Sequence, residues 1–179
     1  MSEQKERVLV FLTRAGRAVR PKEVAEKLGL ASRTVTPYLL ALLRQGYVAR
    51  ESRGLFVLTA AGREVAARIE RASEEAAKLL AEVPSELGFR FYSAVGRPAG
   101  VMANSLAQFR DALQKVDLDS VSFHLERGDF EQWLSFIGDK ALAESVGRMK
   151  PLQLQAEEAR KKLVELVENR IRELRSAIR

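Results

Sequence analysis

The stretch Ala31 to Val48, ASRTVTPYLLALLRQGYV, constrains the fold more than any other part of the sequence. Its apolar residues recur at steps of four, three and one, which places a buried stripe on one face of a helix. Gly46 suits the helix end, because a residue without a Cβ adopts the left-handed conformation at little cost. A helix of this kind needs other elements to cover its stripe, which consists of Val35, Leu39, Leu42 and Leu43.

The start of this helix has two interpretations. If Ser32 is the N-cap, Pro37 is the fifth helical residue and removes one backbone hydrogen bond. If Thr36 is the N-cap, Pro37 takes the first helical position and the helix is shorter. Either start changes the surface that the helix presents, so phosphate contact is better supported than base-specific contact.

Two helices are predicted before this stretch. Ser2 to Arg14 has an apolar face, and a second helix begins at Pro21, where a missing N–H costs nothing. Gly29 ends that second helix and leads into the short turn before Ser32.

A β-hairpin is predicted directly after the stretch. Tyr47 to Glu51 and Leu55 to Thr59 have strand character and flank the tight turn Ser52-Arg53-Gly54, in which glycine permits a positive φ. Thr59 then caps a new helix that starts at Ala60.

Charge is divided unevenly along the chain. Residues 1–70 hold 13 Lys and Arg against 7 Asp and Glu, whereas residues 71–179 hold 17 of each, so the formal net charge of +6 lies wholly in the first part. A basic segment joined to a neutral one indicates nucleic-acid binding by the first and a different role for the second.

The order helix, helix, glycine turn, helix ending LLRQGYV, hairpin and LTAAGRE resembles the winged helix-turn-helix of bacterial and archaeal transcription regulators over residues 5–70. The resemblance implies that the third helix lies in the major groove and that the hairpin is a wing near a minor groove or phosphate. Together with the cations before the second helix, it predicts DNA contacts from Arg17, Arg20, Lys22, Arg33, Thr34, Thr36, Tyr38, Arg50 and Arg53.

Each of these contacts has a structural alternative. Arg33 is also suited to solvating a helix start, the two threonines to local caps, and Tyr38 to packing on the second helix. A winged helix also binds RNA or protein, so the fold by itself does not fix the partner.

Two long amphipathic helices are predicted, at residues 60–83 and 151–179, with apolar residues at steps of three and four. The first continues the winged helix-turn-helix of residues 1–70, and Pro84 ends it. The two helices either form a coiled-coil-like homodimer, as the flanking helices of such regulators usually do, or pack within one chain.

Residues 87–149 are predicted to form a small all-helical domain of about four short helices. Ser105 caps one of them, and Gly128-Asp129 and Gly138-Asp139 each combine a glycine that ends a helix with an aspartate that caps the next. The strings FxFY…GRPxG, FHLERGDFEQW and GDxxLA resemble an uncharacterised helical domain found mainly in archaeal proteins. That resemblance indicates a fold and implies no activity.

A ligand pocket is a further hypothesis for this middle domain, because a buried cluster of aromatic and cationic side chains suits an effector or a protein partner. His124 is the only histidine and has acids nearby, but a role as general base is rejected, since no second histidine, catalytic triad or phosphate-binding glycine loop accompanies it. The pocket hypothesis names Arg90, Tyr92, Arg97, His124, Arg127 and Trp133. The alternative is a structural role, in which Trp133 lies in the core and His124 forms a hydrogen bond across the turn after its helix.

Composition argues against several other classes of protein. The chain has no cysteine, which removes disulfides and thiolate metal sites, and no metal or cofactor is expected. It shows no apolar signal run and no stretch near the roughly 20 apolar residues of a membrane helix, so a soluble cytoplasmic protein is expected. Scarce asparagine with no cysteine suggests a thermophile, and the middle-domain resemblance suggests an archaeon.

These observations predict a mainly α-helical protein that is not an enzyme. It has a winged helix-turn-helix with a small hairpin wing, a long linker helix, a small helical domain and a long C-terminal helix. The predicted function is binding of double-stranded DNA as a homodimeric, nucleoid-associated transcription regulator. The alternatives are a weakly specific, chromatin-like protein that coats DNA, and a winged-helix factor that binds RNA, the ribosome or another protein.

Overall fold

The computed structural model describes residues 1–178, and within them the fold is mainly helical with two small antiparallel strand pairs. The chain divides into two compact units, Met1–Glu74 and Glu75–Ile178, each with its own apolar core. No helix in residues 1–178 has the length and apolar character needed to cross a membrane.

The first unit consists of three helices, a β-hairpin and the first turns of a fourth helix. α2 begins at its proline and ends before Gly29, as predicted. The core lies among α1, α2, α3 and the hairpin, and its largest members are Leu9, Leu39, Leu42 and Phe56. The elements are α1 (Glu3–Ala15), α2 (Pro21–Leu28), α3 (Ser32–Arg44), β1 (Val48–Ser52), β2 (Leu55–Leu58) and α4 (Ala60–Leu80).

The start of α3 differs from both interpretations of the sequence. Ala31 is the N-cap, without a side-chain cap bond, and Ser32 is the first helical residue. Thr36 is no cap, because it lies inside the helix and its Oγ1 donates to the Ser32 carbonyl oxygen at 3.1 Å. Pro37 also lies inside α3, so the Arg33 carbonyl loses its helical donor. The helix persists because its apolar stripe is buried in the core, and tertiary packing outweighs local propensity.

β1 and β2 form the predicted hairpin. Val48 pairs with Leu58 at its base, and Gly54 in the turn has a φ of +78°, which glycine adopts without strain. The loop before α2 joins the hairpin through Val19 and Phe56, each of whose amides donates to the other's carbonyl oxygen at 2.9 Å.

α4 begins directly after the hairpin. The Thr59 hydroxyl donates to the Gly46 carbonyl oxygen at 2.7 Å and accepts from the Gly62 amide at 3.0 Å, so Thr59 caps α4 as predicted. A Cβ on Gly62 would overlap the Tyr47 carbonyl oxygen, so only glycine permits this approach. The start of α4 therefore packs against Gly46 and Tyr47, the two residues that precede β1.

The second unit contains the last turns of α4, a β-hairpin, four short helices and one long helix. Trp133 lies in its core, which was the structural alternative to the pocket, and Ser105 caps the first short helix as predicted by accepting from the Gln108 amide. The prediction of about four short helices is confirmed by α5 to α8. The elements are β3 (Phe89–Ala94), β4 (Arg97–Ala103), α5 (Leu106–Lys115), α6 (Leu118–Arg127), α7 (Asp129–Phe136), α8 (Lys140–Gly147) and α9 (Ala156–Ala177), with 3-10 turns at Ser85–Leu87 and Lys150–Leu152.

The prediction that residues 87–149 are all-helical is wrong at one place, because β3 and β4 pair as an antiparallel hairpin. Phe89 and Phe91 both lie on the buried face of β3, and their ring centroids are 4.8 Å apart. Their spacing of two is the period of a strand, and Gly96 in the turn takes a positive φ of 74°.

The apolar stripe of α9 is covered within one chain. Its members pack into the core of the second unit, where α9 contacts α5, α6 and α8. The prediction that α9 forms a coiled coil between chains is therefore wrong, and the intramolecular alternative holds for this helix. It begins at Ala156, later than predicted, and Arg179 of the predicted segment lies outside the described residues. The buried stripe consists of Ala159, Leu163, Val167, Ile171 and Leu174.

Two arginines of α9 bind acceptors on the short helices. Arg170 Nε donates to both carboxylate oxygens of Asp139 at 2.8 and 3.1 Å, and Asp139 is buried and caps α8 as predicted. The hydrogen bond to Asp139 raises the pKa of Arg170 above its usual range. Arg160 donates to the carbonyl oxygens of Gln114 and Val116 at 3.3 and 2.7 Å, at the end of α5.

Candidate functional site

The solvent-facing side of α3 carries arginines at both ends and small polar or apolar groups between them. Arg33, Thr36, Pro37 and Arg44 are exposed, and Leu40 is half-buried. Positions 33, 36, 37, 40 and 44 follow the three-and-four spacing of one helix face. These five residues form the outer face of α3.

The structure separates the four predicted contacts on α3 into two groups. Arg33 and Thr36 lie on the outer face of α3 and are exposed. Thr34 and Tyr38 are half-buried, and Tyr38 packs against the core of the first unit. For Tyr38, packing was the structural alternative to DNA contact.

The cations before and at the start of α2 differ in whether their side chains already have a partner. Arg17 is held by Glu23 through both guanidinium Nη groups and also donates to the Ala18 carbonyl oxygen at 3.1 Å. Lys22 lies 4.0 Å from a carboxylate oxygen of Glu26. Arg20, the exposed N-cap residue of α2, lacks a side-chain partner within residues 1–178.

The two arginines of the hairpin are exposed. Arg50 on β1 lies over the ring of Phe56, with its guanidinium carbon 5.8 Å from the ring centroid. Arg53 lies in the turn beside Gly54, with no side-chain partner among the described residues. The wing therefore has two arginines on its surface. Arg53 lies at the tip without a partner among the described residues, and Arg50 on β1 forms a cation–π contact with Phe56.

Arg44 is a candidate contact that sequence reasoning missed. It lies in the last turn of α3 and is exposed, and neither it nor Arg33 has a hydrogen-bond or ion-pair partner in residues 1–178. The signal was available, because position 44 continues the helical spacing that starts at position 33. Free arginines are suited to phosphate oxygens and guanine edges, which they contact through paired N–H donors.

In the second unit, four of the six predicted pocket residues line one cavity of about 370 Å³. This cavity, the β3–α6 pocket, is formed by the outer side of β3 and its turn, the end of α6 and Asp129 at the start of α7. The predicted members that line it are Arg90, Tyr92, His124 and Arg127.

The other two predicted pocket residues lie elsewhere. Arg97 is exposed at the start of β4, on the strand that does not line the pocket. Trp133 is buried in the core and donates its Nε1–H to the Leu87 carbonyl oxygen at 2.9 Å. The prediction that these two residues join the pocket is wrong.

His124 is buried, and both of its ring nitrogens are occupied. Nε2 accepts from the Tyr92 amide at 2.8 Å, so the ring proton is on Nδ1, which donates to Asp129 Oδ2 at 2.8 Å. Burial lowers the pKa of His124 despite the opposing effect of Asp129, and Arg127 lowers it further. A neutral ring with two satisfied nitrogens joins α6, β3 and α7, and this is the hydrogen bond across the turn that the sequence predicted.

The role predicted for Asp129 needs a correction. It is the first residue of α7 rather than its cap, and Gly128 takes the N-cap position with a φ of +79°. The Asp129 carboxylate accepts instead from His124 and from Arg127 Nε, the latter at 3.1 Å.

Three helices followed by a β-hairpin wing, with arginines on the outer face of the third helix that have no partner in residues 1–178, have the architecture of a winged helix-turn-helix. Residues 7–52 match the IclR helix-turn-helix domain, which supports a DNA-binding transcription regulator. Residues 58–168 match the family of unknown function DUF5752, and the chain belongs to this family. Both resemblances, to a helix-turn-helix regulator and to an uncharacterised domain, are confirmed. No curated protein and no solved structure matches the chain significantly.

Proposed function

We propose that the protein is a transcription regulator that recognises particular sites in double-stranded DNA and binds them as a homodimer. The observation that carries this proposal is the outer face of α3, where Arg33 and Arg44 have no partner in residues 1–178. In helix-turn-helix proteins the corresponding helix lies in the major groove. Such a protein acts on the chromosome, so we place it at the nucleoid.

Affinity comes chiefly from phosphate contacts. Each phosphate that a cation neutralises releases condensed counterions, and this release supplies the part of the affinity that does not depend on sequence. Arg20 and Arg53 are exposed and free, one at the start of α2 and one at the wing tip, and both suit this role. Arg17 contributes less, because Glu23 already neutralises it.

Selectivity comes from the outer face of α3. Arg33 and Arg44 suit guanine O6 and N7, which accept two hydrogen bonds from one guanidinium. Pro37 and the methyl group of Thr36 lie between them and suit an apolar contact with a thymine methyl. The proposed site therefore has a thymine step flanked by guanines.

The homodimer follows from the symmetry of such sites. Helix-turn-helix dimers bind two half-sites about one helical turn apart, and their two-fold axis matches that of the palindrome. The stripe of α9 is buried within the chain, so the dimer contacts lie outside it. Light-scattering mass measured free and on a duplex tests this part, and a one-to-one complex on an isolated palindrome would contradict it.

The function is tested by selecting labelled genomic fragments across a salt series, with Arg33→Ala and Arg53→Ala variants. The matched control is Arg172→Ala, which removes the same charge from an exposed position on α9. Retention of a few fragments at high salt, lost in both variants and kept in the control, supports site-specific binding.

Two other outcomes would contradict the proposal and indicate a different function. Equal binding of all fragments that falls uniformly with salt would make the protein an architectural DNA-coating factor. Binding of RNA with no retained DNA would assign the winged helix to a different partner.

A further inference from the structure

The β3–α6 pocket has the size and composition of a small-molecule site. Its volume of about 370 Å³ lies within the roughly 300–1,000 Å³ range of ligand pockets. Ring and aliphatic carbons line most of it, chiefly from Phe89, Tyr92, Phe123 and Val95. Apolar walls with a few polar groups are the usual arrangement of such sites.

One side of the pocket is formed by an apolar side chain that is exposed to solvent. Val95 lies in the turn between β3 and β4 and is 82 % exposed, the largest exposure among the big apolar residues of the described chain. Covering this side chain would remove apolar surface from water, which favours an occupant with an apolar face.

The cations at the pocket are available to a ligand. Arg90 is exposed and has no hydrogen-bond or ion-pair partner in the described part of the chain. Arg127 donates its Nε to Asp129 and stacks over the Phe123 ring at 5.1 Å, which leaves its two terminal amino groups without an acceptor among residues 1–178. A guanidinium fixed in this way is pre-organised for a carboxylate.

The single acid of the pocket is engaged through one of its two carboxylate oxygens. Asp129 Oδ2 accepts from Arg127 Nε and from His124 Nδ1, the latter at 2.8 Å, and the other nitrogen of His124 is occupied by the Tyr92 amide. Two arginines therefore line the pocket against one carboxylate, and the net charge of its lining is positive. An excess of positive charge favours an anionic ligand over a cationic one.

We propose that the β3–α6 pocket binds a small planar acid, a molecule with one carboxylate attached to an aromatic or similarly flat apolar body. The carboxylate binds between Arg90 and Arg127, and the flat body lies against Phe123 and under Val95. This inference does not rest on DNA binding, because the pocket is formed entirely by residues 89–129.

The test uses benzoate as the probe, with benzamide as its neutral isostere and inorganic phosphate as an anion without an apolar body. Binding to the full-length protein is followed by NMR through the methyl signals of Val95 and the backbone amide of Tyr92. We expect benzoate to shift these signals saturably and to bind at least about tenfold more tightly than benzamide, because a charge-assisted hydrogen bond contributes about that factor.

Arg90→Gln is the clearest variant, because the exposed Arg90 side chain has no hydrogen bond or ion pair within the described residues whose loss would disturb the fold. It should weaken benzoate at least about tenfold while the melting temperature is unchanged. Arg172→Gln removes the same charge from exposed α9 and should leave benzoate affinity as it is.

Three results would overturn the proposal: equal affinity for benzoate and benzamide, equal affinity for phosphate and benzoate, or no shift at Val95. Because DNA is absent from every sample, failure here is distinct from failure of the DNA-binding function. If both hold, adding benzoate to the fragment selection shows whether the pocket regulates DNA affinity.

Discussion

Arginine is used in opposite ways in α3 and in α9. On α3, Arg33 and Arg44 are exposed and without partners in residues 1–178. On α9, Arg170 binds the buried Asp139, and Arg160 binds the carbonyl oxygens at the end of α5. Both helices are amphipathic, yet the two arginines of α3 are available to a partner, whereas these two of α9 are bound within the fold.

An arginine without a partner is a better candidate for an interface than an arginine that already has one. A guanidinium that already has an acceptor must give it up before it binds a phosphate. A free guanidinium exchanges only water and gains a charge-assisted bond. Substitutions in the two helices should therefore separate stability from DNA affinity.

The largest expected effect is on stability. Arg170→Ala leaves the carboxylate of Asp139 buried without its counterion, so the free energy of unfolding should fall by about 3 kcal/mol, near the lower end of the cost of breaking a buried pair. Urea denaturation followed by circular dichroism measures this change. Arg172→Ala, on the exposed face of the same helix, should change it by less than ~0.5 kcal/mol. Equal losses in the two variants would contradict the contrast.

The second effect is on DNA affinity. Arg33→Ala and Arg44→Ala should each weaken binding to a selected site by about 1–2 kcal/mol, the range of a lost base contact. The free energy of unfolding should stay within ~0.5 kcal/mol of the parent, because no contact in residues 1–178 is lost. Fluorescence anisotropy with a labelled duplex measures the affinity. Loss of stability without loss of affinity would place these arginines in the fold.

A smaller effect is expected where a cation can be released. Glu23→Gln removes the carboxylate that holds Arg17, so DNA affinity at low salt should rise by about two- to fivefold, consistent with the modest strength of exposed ion pairs. Glu3→Gln removes the same charge from exposed α1, where Glu3 has no ion-pair partner in residues 1–178, and it leaves Arg17 bound, so it should raise affinity less. Equal increases would show that net charge alone sets the affinity.

The smallest expected effect concerns pH and the second unit. The folded state lowers the pKa of His124 below 6.5, so the unfolded chain takes up the proton first as pH falls. The free energy of unfolding should be unaffected by this group above about pH 6.5 and should decrease below it, until the folded-state pKa is reached. Comparison of the pH slope between the parent and His124→Gln isolates this contribution. A slope that persists unchanged in the variant would assign it to the carboxylates.

Features specified by neighbouring residues were predicted from the sequence. Pro21 and Gly29 set the ends of α2, Thr59 and Ser105 cap their helices, and Asp139 caps α8. In each case the signal and its structural effect lie within one helical turn, so no tertiary information is required. The same holds for the wing, whose turn glycine and flanking strands are contiguous.

Features that depend on how one element packs against another were missed. Asp129 has the sequence of a cap, but His124 and Arg127 capture its carboxylate because α6 ends beside it. The pairing of β3 with β4 was overlooked because only Phe89 and Phe91 showed strand period on the first strand. The partners of Arg160 and Arg170 on other elements lie 31 to 46 residues away in the chain, beyond any local pattern.

The position of Trp133 has a consequence for optical spectroscopy. It is the only tryptophan in the sequence, and its indole N–H is bonded to the Leu87 carbonyl within the core of the second unit. Tyr38 and Tyr47 lie in the first unit. Indole emission therefore reports on the surroundings of Trp133 in the second unit. Circular dichroism follows the helices of both units, so a thermal transition that differs between the two signals would show that the units melt separately.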